Sequence, residues 1–328
     1  MLQSVLASSI IIRQSRWLVS AVVMLILVAA PAGLYSLADP ERLDLDDSVR
    51  QATSGRFVRL TDGYTHYEIA GPSTGHVVVL AAGFSVPYYI WDPTFKALTD
   101  AGFRVLRYDY YGRGFSDRPD VPYTQAFYLR QLTELLDSLR VTDSIDLAGL
   151  SFGGSVVTSF ADAYPHRVRS LLYMDPAFRT SGEPPPLMNM PLVWNFFTAI
   201  FDERWWADAQ LGDFLHPERF PDWPARYRVQ VQYRGFRRAR RSEVVTNASV
   251  DQHEELERVG QHGRPVFVIW GKQDPSVPFD LSQALLELMP RGRLLAVDDS
   301  GHLPQWEQPA IVNPAIIDFL HQVNGSST

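Results

Sequence analysis

The chain has 328 residues, of which 46 % are hydrophobic and 20 % are charged, and its formal net charge is −7. This composition is that of an ordinary globular protein with enough apolar material for a large core, and the negative charge argues against a nucleic-acid partner. The sequence contains no cysteine, which excludes disulfides, thiolate metal sites and a cysteine nucleophile.

The first 38 residues contain an uncharged apolar segment, Trp17–Ala38. This segment is long enough to cross a bilayer as a transmembrane helix. Arg13 and Arg16 precede it and acidic residues follow it, so we expect the N-terminus in the cytoplasm and the body of the protein outside. A cleaved signal peptide is the alternative, because the most apolar part has the length of a signal-peptide core. A buried core helix fits poorly with the terminal position. The segment therefore predicts a single-pass membrane protein with an extracytoplasmic body, or an exported protein.

Residues 39–54 are acidic and polar and predict a linker, after which apolar runs alternate with amphipathic segments. The apolar runs predict strands at 57–60, 64–69, 77–81, 104–108, 145–148, 168–174, 266–270 and 293–297. The amphipathic segments predict helices at 93–101, 123–140, 156–164, 281–289 and 310–322. Asp62-Gly63 indicates a hairpin between the first two strands. The alternation of strands and helices predicts a mostly parallel, twisted α/β sheet with helices on both faces.

The strand–helix alternation is interrupted by residues 177–249, here called the insert. It contains many aromatic residues, namely Trp194, Phe196, Phe197, Phe201, Trp205, Trp206, Phe214, Phe220 and Trp223. Insertions of this length are usually functional, so we expect a helical lid over an apolar pocket, with ordinary packing of the aromatic residues as the alternative. The insert also contains five arginines between Arg234 and Arg241, which favour a solvated helix face. Residues 55–176 and 250–324 then form the core.

The strand that ends at Ala148 leads into Gly149-Leu150-Ser151-Phe152-Gly153, and a helix is predicted directly after it. A G-x-S-x-G turn between a strand and a helix is typical of a nucleophile elbow. Small residues two before and two after the serine let the strand and the helix approach each other. A serine in a glycine-rich loop is also a common turn residue, so the motif needs support from the rest of the chain.

That support comes from an acid and a histidine that follow later strands. A serine nucleophile needs an adjacent base, and the base needs an orienting acid. Asp274 follows the strand 266–270, and His302 follows the last strand, which is the order serine, acid, histidine. Asp175, directly after the strand 168–174, is a second candidate for the acid. We favour Asp274, because Asp175-Pro176 also fits a turn.

Four motifs together resemble the α/β-hydrolase superfamily. They are the elbow 149–153, Gly271-x-x-Asp274-x-x-x-Pro278, Gly301-His302, and Asp109-x-x-Gly112-x-Gly114-x-Ser116-x-x-Pro119. The resemblance covers the chain from about Phe57 to the C-terminus, and is greatest to the monoglyceride-lipase, carboxylesterase and C–C-bond hydrolase branches.

The resemblance implies an α/β-hydrolase fold, a catalytic triad of Ser151, Asp274 and His302, and an oxyanion hole formed by the backbone N–H groups of Phe84 and Phe152. This chain has Ala82-Gly83 where the family usually has His-Gly. The change bears on the rigidity of that loop, but a backbone donor does not need the histidine side chain.

The sequence therefore predicts a carboxylesterase or lipase-like serine hydrolase that acts on small hydrophobic esters. Cleavage of a C–C bond or cofactor-free perhydrolysis by the same triad, and a non-catalytic binding protein of the same fold, are the alternatives. We expect no cofactor, because Gly112-x-Gly114 lacks the further glycine of a dinucleotide site. We expect no metal, because the eight histidines are scattered.

Overall fold

The computed structural model describes residues 29–180 and 182–325, together with a few positions between 17 and 25. Within these described residues no helix is both long enough and apolar enough to span a membrane. Part of the predicted span Trp17–Ala38, and both arginines before it, lie outside the described residues. Its last nine residues form the first described helix.

A mostly parallel sheet of eight strands forms the centre of the protein, in the order β1-β2-β4-β3-β5-β6-β9-β10. β2 pairs antiparallel with β1 and β4, and the remaining pairs are parallel. The predicted hairpin at Asp62-Gly63 is confirmed, since Leu60 pairs with Gly63. β7 and β8 form a separate two-stranded ribbon. The strands are β1 Arg56–Leu60, β2 Gly63–Ala70, β3 Val77–Ala81, β4 Arg104–Tyr108, β5 Ile145–Leu150, β6 Val168–Met174, β7 Arg179–Thr180, β8 Val250–Asp251, β9 Val266–Gly271 and β10 Gly292–Val297.

Helices cover both faces of the sheet. The helices are α1 Ala30–Ala38, α2 Asp47–Ala52, α3 Asp92–Asp100, α4 Gln125–Ser138, α5 Phe152–Ala163, α6 Pro191–Ala209, α7 Trp223–Val231, α8 Phe236–Asn247, α9 His253–Gln261, α10 Leu281–Leu288, α11 Pro304–Glu307 and α12 Pro309–Gly325. α3, α11 and α12 pack together as one group, and α4, α5, α9 and α10 as another. The insert contributes α6, α7 and α8.

The strand register brings the carboxyl ends of the central strands to one edge of the sheet. Ala81 in β3 pairs with Gly149 in β5, and Leu150 pairs with Met174 in β6. Val297 at the end of β10 likewise pairs with Gly271 at the end of β9. Loops that follow parallel strands therefore meet at this edge, which is where open α/β sheets usually bind ligands.

The predicted linker makes specific contacts with the insert. The carboxylate of Glu41 accepts hydrogen bonds from the backbone N–H groups of Gly235 (2.8 Å) and Arg237 (2.6 Å). These groups lie at the start of α8, which has no side-chain cap of its own. Asp39 forms an ion pair with the Arg237 guanidinium at 2.8 Å. Residues 39–41 thus supply the capping group that a helix N-terminus requires.

The arginine run in α8 is not a solvated face, contrary to the expectation from its charge. Arg237 and Arg240 are buried, whereas Arg234 and Arg238 are exposed. Arg237 is paired with Asp39 of the predicted linker, residues 39–54, which is called the acidic arm below. Arg240 stacks on the Trp206 ring at 3.3 Å. Partners from distant parts of the chain therefore keep these two guanidinium groups inside the protein.

A buried histidine joins the acidic arm to the sheet. His66 in β2 lies with Nδ1 at 2.7 Å from the Asp109 carboxylate and Nε2 at 2.7 Å from the carbonyl oxygen of Ser54. Both partners are acceptors, so a doubly protonated ring satisfies both. Burial lowers the pKa of His66, but the hydrogen bond and charge of Asp109 outweigh burial and raise that pKa above its usual value.

We predict that His66→Gln destabilises the protein more in acid than in alkali. The charged ring stabilises the fold fully below the unfolded-state pKa, and this contribution is lost as pH rises through the raised folded-state pKa. Urea unfolding at pH 5.5 should show a loss of about 1–3 kcal/mol, with a smaller loss at pH 9. His253→Gln, at an exposed position of α9, is the matched control. Equal losses for His66→Gln at both pH values would contradict a charged His66.

Candidate active site

Ser151 occupies the turn between β5 and α5, in a backbone conformation that is unfavourable for any residue other than glycine. Its φ of 52° and ψ of −120° are rarely adopted by L-residues. The turn is held by the Ser151 N–H, which donates to the carbonyl of Met174 (2.9 Å), and by the Ser151 carbonyl, which accepts from Gly154 and Ala177. The side chain is partly exposed. This geometry presents the hydroxyl at the carboxyl edge of the sheet.

The glycines of the motif allow the strand and the helix to approach at this point. A Cβ on Gly149 would lie 2.4 Å from the carbonyl oxygen of Gly153, and a Cβ on Gly153 would lie 2.4 Å from that of Ala81. Both contacts are with backbone atoms, which cannot move aside as a flexible side chain could. Neither position therefore accepts a side chain without distortion of the elbow.

His302 and Asp274 form a buried pair at the same edge. His302 Nδ1 lies 2.7 Å from Asp274 Oδ2, and Asp274 Oδ1 accepts hydrogen bonds from the backbone N–H groups of Ser276 (2.7 Å) and Val277 (2.9 Å). Burial lowers the pKa of His302, but the hydrogen bond and charge of Asp274 raise it above the usual value of 6.5. Asp274 thus fixes the ring orientation and leaves Nε2 available for proton transfer.

Asp175, the second candidate acid, lies beside this pair but does not hold the histidine. It is fully buried, and its Oδ1 accepts from the backbone N–H of Gly271 at 2.8 Å. Burial raises the pKa of Asp175 well above its usual range, and the nearby charge of Asp274 raises it further. Because its neutral form is favoured, Asp175 is less suited than Asp274 to provide the negative charge that stabilises an imidazolium.

Among the described residues, Asp175, Asp274 and His302 are the one group with the spacing of metal ligands, with a potential ligand atom from each within 4.8 Å of the others. A metal held by His302 and Asp274 would separate the nitrogen and the oxygen by about 3 Å or more, given metal–ligand bonds near 2.0–2.1 Å. The 2.7 Å separation of Nδ1 and Oδ2 fits a direct hydrogen bond instead.

Phe152 follows Ser151 directly in the chain, and the loop that contains Phe84 passes close to Ser151. A Cβ placed on Gly83 would be 3.6 Å from the Cβ of Ser151, and the rings of Phe84 and Phe152 meet edge to face at 5.9 Å. In the described part of the chain, no protein group accepts a hydrogen bond from either backbone N–H. Phe152 also begins α5, where the helix dipole favours negative charge. Both amides are therefore free to donate to an anion near Ser151.

Ser151 and His302 line one cavity of about 220 Å³. Buried apolar side chains, among them Val86, Ile90, Leu150 and Leu303, form one part of its wall, and polar residues form the rest. The insert contributes two polar residues, Gln210 and Asp213. The Asp213 carboxylate accepts from the Ser276 hydroxyl at 2.7 Å, and its charge also raises the pKa of His302. Sequence reasoning missed Gln210 and Asp213, because no motif distinguishes them from other polar residues of the insert.

The aromatic residues of the insert pack with one another and with Tyr89 and Trp306 of the core. Phe214 stacks on Phe220 at 4.2 Å, Trp223 meets Phe214 edge to face at 5.0 Å, and Trp306 of α11 meets Trp223 at 5.1 Å. Among the insert side chains that the structure describes, no aromatic residue lines the cavity at Ser151. Their first role is therefore to hold the insert on the core.

Comparison with known proteins gives the family. The profile of the alpha/beta hydrolase family matches residues 78–315, so the chain belongs to this family of hydrolases. In sequence, the chain is 28 % identical over 298 residues to the 2-hydroxy-6-oxononadienedioate/2-hydroxy-6-oxononatrienedioate hydrolase of Cupriavidus pinatubonensis, covering 83 % of this chain and 97 % of that protein. It is 24 % identical to the AB hydrolase superfamily protein YfhM of Bacillus subtilis, covering 79 % of this chain and 96 % of that protein. In structure, it is similar to a thermophilic esterase from Thermogutta terrifontis, with a TM-score of 0.70, 24 % identity, and coverage of 82 % and 99 % of the two chains.

Conversion of each of the two buried carboxyl groups to an amide should lower kcat to a different extent. Asp274→Asn should lower kcat for ester hydrolysis by about 10³–10⁴-fold, because the amide favours the wrong tautomer of His302. Asp175→Asn should lower kcat less than about 10-fold, since burial already favours the neutral form of that carboxyl group. Steady-state kinetics of the two isosteric variants compares them directly. The reverse order of losses would transfer the role of the acid to Asp175.

Proposed function

We propose that this protein is a serine hydrolase that cleaves carboxylic esters through Ser151, His302 and Asp274. One arrangement carries the proposal. A serine in a strained turn lines the same cavity as a histidine that is oriented by a buried carboxylate. The two free backbone amides, those of Phe84 and Phe152, fit the same chemistry. A binding protein of this fold would need neither the strain nor the oriented base.

The proposed reaction follows from these positions. Ser151 Oγ attacks the ester carbonyl while His302 Nε2 accepts its proton, and Asp274 stabilises the resulting imidazolium. The amides of Phe84 and Phe152 donate to the oxygen that becomes negative. The tetrahedral intermediate collapses to an acyl-enzyme as His302 protonates the leaving alcohol. Water activated by His302 then hydrolyses the acyl-enzyme and regenerates Ser151.

The size of the cavity favours short acyl groups. Its volume of about 220 Å³ is below the roughly 300–1,000 Å³ common for pockets that hold drug-sized ligands. The apolar wall around Ile90 and Leu303 suits a hydrophobic acyl chain. Each buried CH₂ contributes about 0.8 kcal/mol, so affinity should rise along a series of short esters until the cavity is full. The proposal is therefore a carboxylesterase for small hydrophobic esters.

The charge of the cavity favours neutral substrates over anionic ones. Asp213 brings a carboxylate to the wall, and no lysine or arginine lines this cavity within the described residues. The relative from Cupriavidus pinatubonensis is named for a dioate, a substrate with two carboxylates. A dianion would meet Asp213 without a cation to offset it, so the same site supports an ester better than a C–C substrate of that charge.

We also propose that the apolar segment Trp17–Ala38 attaches the protein to a membrane or directs its export, on the pattern of apolar and charged residues in the sequence. The full-length protein should then fractionate with membranes, and external protease should reach its body in spheroplasts. Protection of the body would overturn this topology. A shortened protein in the medium would indicate a cleaved signal.

Ser151→Ala tests the nucleophile. The variant should fall to within about 10³–10⁴-fold of the uncatalysed rate, which is the activity left by the oxyanion hole and binding. It should also lose covalent labelling by a fluorophosphonate, because that reagent needs an activated serine. Ser155→Ala, four residues further along in α5, is the control and should keep both labelling and turnover. A folded Ser151→Ala protein with most of the native kcat would refute the mechanism.

Asp213→Asn tests the charge selectivity. For each of the native and variant proteins, kcat/KM is measured on a neutral ester and on an ester of equal length that ends in a carboxylate. The variant should improve the relative rate on the anionic ester by about 10-fold, because one repulsive charge at the cavity wall is removed. Asp208→Asn, whose carboxylate pairs with Arg228 away from the cavity, should leave the ratio unchanged. A ratio equally unchanged in Asp213→Asn would show that Asp213 does not face substrate.

A further inference from the structure

The loop that carries the Phe84 amide is residues 82–86, here called the oxyanion loop. It follows β3 and contains Ala82 and Gly83, two residues that offer no side-chain hydrogen bond. Its hydrogen bonds are therefore made by its backbone and by Ser85. Most of the polar contacts that hold it lead to the insert.

Gln230, near the end of α7, is the first of these contacts. Its side chain is almost completely buried. Its Nε2 donates to the carbonyl oxygen of Ser85 at 3.0 Å, and its Oε1 accepts from the backbone N–H of Gly114 at 3.0 Å. One amide thus joins the oxyanion loop to the loop after β4. Gln210, also in the insert, accepts from the Ser85 hydroxyl at 2.7 Å.

Arg113 and Glu243 make the second connection. Arg113 Nε donates to the carbonyl oxygen of Phe84 at 2.9 Å, and its guanidinium forms an ion pair with Glu243 of α8. Both side chains are fully buried, and the Tyr128 hydroxyl donates to Glu243 at 2.8 Å. Arg113 thus lies between the insert and the oxyanion loop.

These contacts fix two successive carbonyl groups of the loop, those of Phe84 and Ser85. Both peptide units that follow Phe84 are thus held. This limits the movement of the Phe84 main chain, and with it the position of the N–H group in the preceding peptide unit. The free energy gained from an oxyanion donor depends on such preorganisation. A displacement of about 1 Å can cost a factor of 10² in rate.

We propose that the insert holds the oxyanion loop in its catalytic geometry, with Gln230 as a positioning residue for the Phe84 amide. The insert is then part of the catalytic apparatus as well as a cover, and a movement of α7 away from the core would weaken the oxyanion hole. This inference rests on the proposed function, since it assigns Phe84 as an oxyanion donor.

Gln230→Leu in the full-length protein is the test, since leucine preserves the volume and removes both hydrogen bonds. We expect kcat on a short ester to fall by about 10–100-fold, part of the 10²–10³-fold effect of losing a donor outright. KM should change less than about 3-fold. Affinity for a trifluoromethyl ketone, which Ser151 would bind as a tetrahedral oxyanion, should fall by the same factor as kcat/KM. Gln232→Leu, at an exposed position two residues on, is the matched control and should change none of these quantities.

A second measurement needs no substrate. ¹⁵N relaxation of the Phe84 and Ser85 amides should give order parameters near 0.85 in the native protein and in Gln232→Leu, and below about 0.6 in Gln230→Leu. Unchanged order parameters together with an unchanged affinity for the ketone would overturn the proposal. If Gln230→Leu does not fold, Gln210→Leu serves in its place, with a smaller loss of kcat and of order at Ser85, and no change in either would count against the proposal.

The two proposals fail in different ways. If the native protein neither hydrolyses esters nor reacts with a fluorophosphonate at Ser151, the proposed function is wrong, yet the relaxation data still decide whether Gln230 holds the loop. If the native protein is an esterase and Gln230→Leu keeps its kcat and its affinity for the ketone, only the role of the insert is wrong.

Discussion

The close contact between β5 and α5 is the constraint on which the site depends. Backbone atoms of Gly153 and of Ala81 occupy the space that a side chain on Gly149 or Gly153 would need, and Ser151 between the two glycines adopts a positive φ. Such a conformation costs on the order of 1–3 kcal/mol and persists only where the surroundings impose it. Here β6 imposes it, because Met174 accepts the Ser151 N–H in line with the parallel ladder. The central strands thus determine where the hydroxyl lies, and the loops after β3, β9 and β10 are arranged around it.

Buried ion pairs connect the remaining parts of the molecule to this centre. Glu41 caps α8, Glu243 of the same helix pairs with Arg113, and Arg113 holds the carbonyl of Phe84. A continuous series of contacts therefore runs from the acidic arm to the oxyanion loop. Buried pairs of this kind contribute little net stability compared with apolar packing, because desolvation offsets their attraction. We interpret them as determinants of one particular arrangement, since an insert packed in any other way would leave a charge buried without a partner.

The sequence predicted those features that depend on local pattern. The hairpin, the parallel strands and the elbow were correct because periodicity and glycine spacing act over a few residues. The contacts of Gln230 and Glu243 could not be predicted, since their partners lie more than 100 positions away. The prediction that the arginine run forms a solvated face was wrong for a related reason. Charge alone favoured solvent, whereas Arg237, Arg240 and Glu243 lie on one face of α8 and are buried against partners from distant parts of the chain.

The insert combines two roles that are separate in a simple lid. Gln210 and Asp213 line the cavity, so they bear on which substrate enters. Gln230 and Glu243 support the oxyanion loop, so they bear on how well any substrate reacts. Gln210 belongs to both sets, because it lines the cavity and also accepts the Ser85 hydroxyl. A substitution that enlarges the cavity by moving α6 or α7 would therefore loosen the oxyanion loop as well, and only changes that keep the backbone of these helices in place can alter specificity without loss of rate. The strained elbow depends less on the insert, because its hydrogen bonds are made with β6 and α5, apart from the one donated by Ala177, the first residue of the insert.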